Sequence, residues 1–156
     1  MSKNEYRRFN NSKIMEKFRE LLIQYKFEKR LNKTSTEIQQ IENIINFNLP
    51  MEYKYFLENY LEFENFIGPE YVILWDIDKL IEYNTDYTIF ENLPNTLAIG
   101  SNGASEFLAI EFINENNYRI VISPTIDVNK EYHIEVGKSF SDFIDRLDND
   151  IEWFSK

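Results

Sequence analysis

Two runs, Phe107-Leu108-Ala109-Ile110-Glu111-Phe112 and Tyr118-Arg119-Ile120-Val121-Ile122-Ser123, flank a polar stretch at 114–117. Their aromatic and β-branched content, bounded by turn residues, predicts two strands of an antiparallel hairpin. Upstream, Leu97-Ala98-Ile99-Gly100 reads as a short strand, and Ser101-Asn102-Gly103 as its turn, where glycine supplies φ > 0. Tyr71-Val72-Ile73-Leu74-Trp75 reads as another strand. Asp76 or Asp78 then starts a short helix over 76–83, where a carboxylate favours the helix dipole. Residues 92–95 turn around Pro94. Downstream, 132–136 predicts a further strand. Ser139 caps a closing helix with Asp142 three residues on, and Phe140, Phe143, Ile144, Leu147, Ile151 and Phe154 form its apolar stripe.

Before Gly68-Pro69 the period is helical. Ile14, Met15, Phe18, Leu21, Leu22 and Tyr25 predict a helix over 12–31. Its basic residues could face a membrane or nucleic acid, but Glu16, Glu20 and Glu28 dilute them. The expectation is a helix packed by its apolar stripe, its charges solvated or paired with the rest of the chain. Thr36 and Gln39 match a capping box for the next helix, whose stripe is Ile38, Ile41, Ile44 and Ile45. Leu49-Pro50 ends that helix and starts another, since proline fits a first turn. Tyr53, Phe56, Leu57 and Tyr60 form its buried face. Helices first, then a mostly antiparallel sheet, then a closing helix define an α+β fold.

A length of 156 residues suits one domain, read as 1–156, with a basic helical extension over 1–33 and a core over 36–154. The 13 Phe, 10 Tyr and 2 Trp imply a core built largely of rings. The absence of Cys excludes a disulfide framework, a Cys nucleophile and a thiolate metal site. Residues 1–10 lack the apolar stretch of a signal peptide, and no run reaches the roughly 20 residues of a membrane span. A cytoplasmic location is expected.

The net charge of −10 is unevenly spread. Residues 1–33 hold ten Lys/Arg and four Asp/Glu, whereas 34–156 carry net −16. Such a field repels nucleic acid and anionic lipid and speeds the approach of a basic protein. His133 is the only histidine, so a two-histidine metal site is excluded. Gly100-Ser101-Asn102-Gly103 lacks the Gly-Lys-Ser/Thr ending of a phosphate loop. Asp76-Ile77-Asp78 is not followed by a calcium loop. No nucleophile–base–orienter set stands out, so no catalytic residue, metal or cofactor is expected.

The ordered landmarks carry a resemblance. A helical stripe leads into Leu49-Pro50-Met51-Glu52-Tyr53 and Tyr55-Phe56-Leu57. The strand ending at Leu74-Trp75, the Ile99-Gly100-Ser101-Asn102-Gly103 turn, Phe107-Leu108-Ala109-Ile110 and Ser139-Phe140-x-x-Phe143 follow. This series, spanning 38–147, resembles the SUKH superfamily, which includes a fungal cell-wall synthesis regulator and many bacterial immunity proteins. Tyr60-Leu61-Glu62-Phe63 stands where the family often has a glycine pair. The resemblance implies an immunity protein that binds a toxin, a nuclease or another basic toxin domain, without catalysis. A regulatory or scaffolding module is the second reading. Candidate contacts on turns expected to be exposed are Tyr60, Glu62, Glu64, Asp76, Asp78, Glu82, Asp86 and Glu106.

Overall fold

A computed structural model describes residues 3–32 and 34–154, and side chains from Lys13 onward except Lys33. The side chains of Lys3, Arg7, Arg8 and Lys33, counted above in the basic segment, lie outside the described residues. Three helices come first: α1 (Lys3–Gln24), α2 (Ser35–Ile45) and α3 (Met51–Asn59). A hairpin of β1 (Phe63–Ile67) and β2 (Glu70–Leu74) leads to α4 (Ile77–Asp86) and the single turn α5 (Ile89–Asn92). Then come β3 (Thr96–Ser101), β4 (Glu106–Asn114), β5 (Asn117–Pro124), a 3₁₀ turn (Lys130–Tyr132), β6 (Ile134–Gly137) and α6 (Phe140–Asp148). The strands form one antiparallel sheet in sequence order, β1 to β6. The α+β architecture is the one expected from the sequence.

Cross-strand partners share a face. Phe63, Leu74, Gly100, Leu108 and Ile122 therefore form one row across five strands. Helix α6 crosses the sheet against β1, β5 and β6, and α1 and α3 pack on α6. Phe140 of α6 gathers Phe18, Tyr53 and Phe56 around its ring, with centroids 5.3–5.7 Å apart. Phe18, Leu21 and Leu22 of α1 belong to this same core. Lys17 pairs with Asp145 at 2.7 Å, and the Tyr25 hydroxyl donates to Asp148 at 2.6 Å.

Several boundaries differ from the sequence expectation, for one recurring reason. Helix α1 ends at Gln24, not near Leu31. Its Phe27 N–H bonds to the Leu22 carbonyl and its Lys26 N–H to that of Ile23, with Lys26 at φ +59°. This double bond pattern closes a helix through a left-handed residue. The same device ends α6 at Asp148: Ile151 donates to Arg146, Asp150 to Leu147, and Asp150 has φ +63°. Ile151 and Phe154 thus leave the helical stripe and are exposed. Asn46, also left-handed, ends α2 before Leu49-Pro50 is reached. Glycine usually marks such positions, and here Lys, Asp and Asn take them.

Other corrections are local. Helix α2 starts at Ser35 with Thr34 before it, so Thr36 is no cap; the Thr34 hydroxyl bonds the Leu57 carbonyl at 3.3 Å. Ile44 is exposed, as is Ile14 on α1. Pro50 precedes α3 rather than opening its first turn. Helix α4 runs on to Asp86, and 132–133 belong to the turn before β6. Strand β1 and helix α5 form where the sequence pattern predicts no regular element. Ser139 does cap α6, accepting from the Asp142 N–H at 3.0 Å, while Asp142 accepts from Lys138.

Gly103 has the expected positive φ, but Gly100 does not. A Cβ at Gly100 would lie 1.9 Å from the Ile73 carbonyl oxygen. Glycine is required there because β2 passes against β3, not for backbone freedom. Past Trp75 the chain leaves β3, whose Ala98 would lose its neighbour. Buried Asn84 of α4 replaces that strand: its Oδ1 accepts from Ala98 N–H at 2.7 Å and its Nδ2 donates to the Ala98 carbonyl at 2.9 Å.

Candidate functional site

The β1–β2 hairpin and the N-terminus of α4 bring Glu62, Glu64, Asp76 and Asp78 together. Glu64 extends from β1 and Glu62 directly precedes that strand, while Asp76 is the N-cap of α4 and Asp78 stands in its first turn. Asp76 starts α4 by accepting from the Ile77 N–H at 2.7 Å, and its carboxylate also pairs with Arg30. The Arg30 guanidinium in turn donates to the carbonyls of Leu57 and Tyr60, each at 3.1 Å. Half-buried Asp76 is therefore a structural joint between the segment after α1, the end of α3 and the start of α4.

Glu62 has no such compensation. Its carboxyl is pushed above the ordinary carboxylate range by partial burial first, then by Glu64, Asp76 and Asp78; Lys79 opposes the shift. Glu64 accepts a hydrogen bond from the Tyr71 hydroxyl and raises that phenol. Asp78 is exposed at the helix N-terminus, where the dipole favours it. Glu82 lies one turn further along α4 and pairs with Lys79 at 3.6 Å.

The remaining candidates separate from this cluster. Tyr60 is 2% exposed, which corrects its expected place on an exposed turn. Its ring packs among Phe27, Tyr55 and Phe56, because the chain leaves α3 inward, bridged to Lys29. Asp86 ends α4, about 12 Å along the axis from Asp78. Glu106 folds into the β3–β4 turn, accepting from Asn102 at 2.9 Å.

Beside the cluster lies an aromatic neighbour that composition could not locate. Phe66 is 56% exposed and meets Tyr71 edge-on at 5.2 Å. With Phe154 and Glu152 these rings line a shallow hollow of about 420 Å³. A larger groove of about 950 Å³ separates α1 from the β4–β5 turn and is floored by Met15, Phe18, Leu49 and Phe112.

The carboxylates elsewhere in the sheet are compensated. Glu111 is buried and meets Arg119 at 2.8 Å and His133 Nδ1 at 2.6 Å. Burial would raise its carboxyl, but the bonds from Arg119 and His133 outweigh this and hold it below the usual range. His133 is thus tied into the core by its Nδ1. Among the described residues no group of three or more His, Asp or Glu could hold a metal ion, and no helix is long and apolar enough to cross a membrane.

A family model described as SMI1 / KNR4 family (SUKH-1) matches residues 33–146, from just before α2 into α6. Helix α1 lies outside that match. No curated protein matches the chain.

Proposed function

The chain belongs to the SMI1/KNR4 family (SUKH-1), and from that membership we propose that it is an immunity protein that neutralises a bacterial toxin by direct binding. The family is a group of protein–protein interaction and immunity modules, typically without catalysis. The observation that carries the reading is the crowding of Glu62, Glu64 and Asp78 at one edge of the sheet, with Glu62 held among like charges. Like charges held together raise the free energy of the isolated protein and release it on meeting an opposite charge. That edge fits a basic protein surface, such as the phosphate-binding cleft of a nuclease. In this reading the whole chain, 1–156, acts as one cytoplasmic domain, with α1 docked on the 36–154 core.

The test is co-expression with a toxin domain encoded beside the gene. The wild-type chain restores growth, and the triple variant Glu62→Lys, Glu64→Lys, Asp78→Lys loses protection while keeping its melting temperature. Full protection by the triple variant contradicts the assignment of the surface. Absence of any toxin binding, with capture of a defined host protein, supports the regulatory or scaffolding reading instead.

A further inference from the structure

We propose that the outer edge of β1 receives an extended, lysine- or arginine-bearing segment of the partner as a seventh strand. This rests on the reading of a basic protein partner and specifies how it is held.

Strand β1 ends the sheet and pairs on one side with β2. The Ile67–Glu70 pair flanks the two-residue loop Gly68-Pro69. In such a hairpin the flanking pair is hydrogen-bonded, and bonded pairs alternate along the strands. Phe63, Asn65 and Ile67 therefore spend their backbone groups on β2, and Glu64 and Phe66 point theirs outward. One contact agrees with this parity: the Phe66 N–H is taken by the Asn65 side chain at 2.8 Å, not by β2. The Glu64 N–H, the Glu64 carbonyl and the Phe66 carbonyl are left facing away from the sheet.

Open edges are ordinarily blunted by proline, charged side chains (lysine above all), a bulge or a cover, and on β1 the one charge is Glu64. Residues 63–67 contain no Pro or Lys, and their register with β2 has no shift. The opposite edge differs. Strand β6 has only four residues, a register shift where it meets β5, and Glu135 paired with Arg146 at 3.5 Å.

The charge on β1 selects the occupant. Two copies paired through this edge would bring the Glu62 and Glu64 carboxylates of both chains together, which like-charge pairing disfavours. A basic strand reverses the sign of that interaction. Its cations would meet Glu62, Glu64 and Asp78, and a side chain further along the same face would enter the hollow beside Phe66 and Tyr71, where aromatic faces attract cations.

The test uses the full chain and an octapeptide alternating lysine and valine, followed by amide hydrogen exchange. The peptide is expected to slow exchange of the Glu64 amide by about tenfold, because an open edge amide becomes bonded. A glutamate–valine octapeptide and a lysine–valine octapeptide N-methylated at alternate residues are expected to have no effect. Glu64→Pro removes an outward N–H that β2 does not use, so binding is lost with the hairpin kept. If that variant does not fold, the N-methylated comparison on the wild-type chain decides. Equal binding of the N-methylated peptide overturns strand addition and leaves the acidic protein-binding surface standing. Absence of Glu64 protection at saturating lysine–valine peptide, or of binding at all, also overturns it. Loss of the toxin-binding reading is detected separately, by the co-expression assay.

Discussion

Two carboxylate clusters of this protein face opposite fates. Around Glu111 every charge has an answer: Arg119 on the neighbouring strand and His133 from the turn before β6. Around Glu62 three further carboxylates crowd in, one of them already bound to Arg30, and among the described residues Lys79 opposes the effect on Glu62. The first carboxyl is held below its ordinary range and the second is pushed above it. Compensated charge locks the fold. Uncompensated charge adds nothing to folding and is available to a partner.

The largest effect should come from the compensated cluster. Glu111→Ala leaves Arg119 and the buried His133 without their acceptor, and should cost about 3 kcal/mol in denaturant unfolding. A loss no larger than that of a surface carboxylate would break the contrast. The pH dependence has a definite sign. A depressed carboxyl stabilises the fold above its unfolded value, near 4.5, and that contribution is lost as pH falls through the lower native value. Acid unfolding of the wild type should therefore steepen below pH 4.5, and Glu111→Ala should flatten it.

The second effect sharpens the contrast between edges. Ala98 on β3 has its backbone answered by Asn84, whereas Glu64 on β1 has no such cover among the described residues. Asn84→Leu should cost about 2 kcal/mol, since a buried N–H and carbonyl lose their partners. The smallest effect has the opposite sign. Glu62→Gln should stabilise the isolated protein by a few tenths of a kcal/mol at pH 7, the scale of screened surface charges. A raised carboxyl opposes the ionised fold only above its unfolded value, so this gain should vanish below pH 4.5. Destabilisation by Glu62→Gln at pH 7 would show that this carboxylate is compensated after all.

Much of this was readable in the chain. The hairpin at 107–123, the Ser139 cap and the helix-then-sheet order follow from local rules that the fold obeys. Helix ends are not legible in the sequence because Lys26, Asn46 and Asp150 adopt left-handed conformations that glycine marks in most proteins. Strand β1 escaped because Glu64, Asn65 and Phe66 are all exposed, so an edge strand shows no alternation. Among the candidate contacts, the fold brings Glu62, Glu64 and Asp78 together. Acidity could not tell that Asp76 would be spent on Arg30, since residues 46 apart in sequence meet only in the fold. Tyr60 fitted both an apolar helical stripe and a turn; the stripe prevailed.

The most direct measurement is the association rate of the chain with the proposed toxin partner at low and high salt. The account predicts that Glu62→Lys, Glu64→Lys, Asp78→Lys slows association at low salt by about tenfold or more, that the difference shrinks as salt rises, and that the melting temperature barely moves. Association at the wild-type rate in low salt would contradict it.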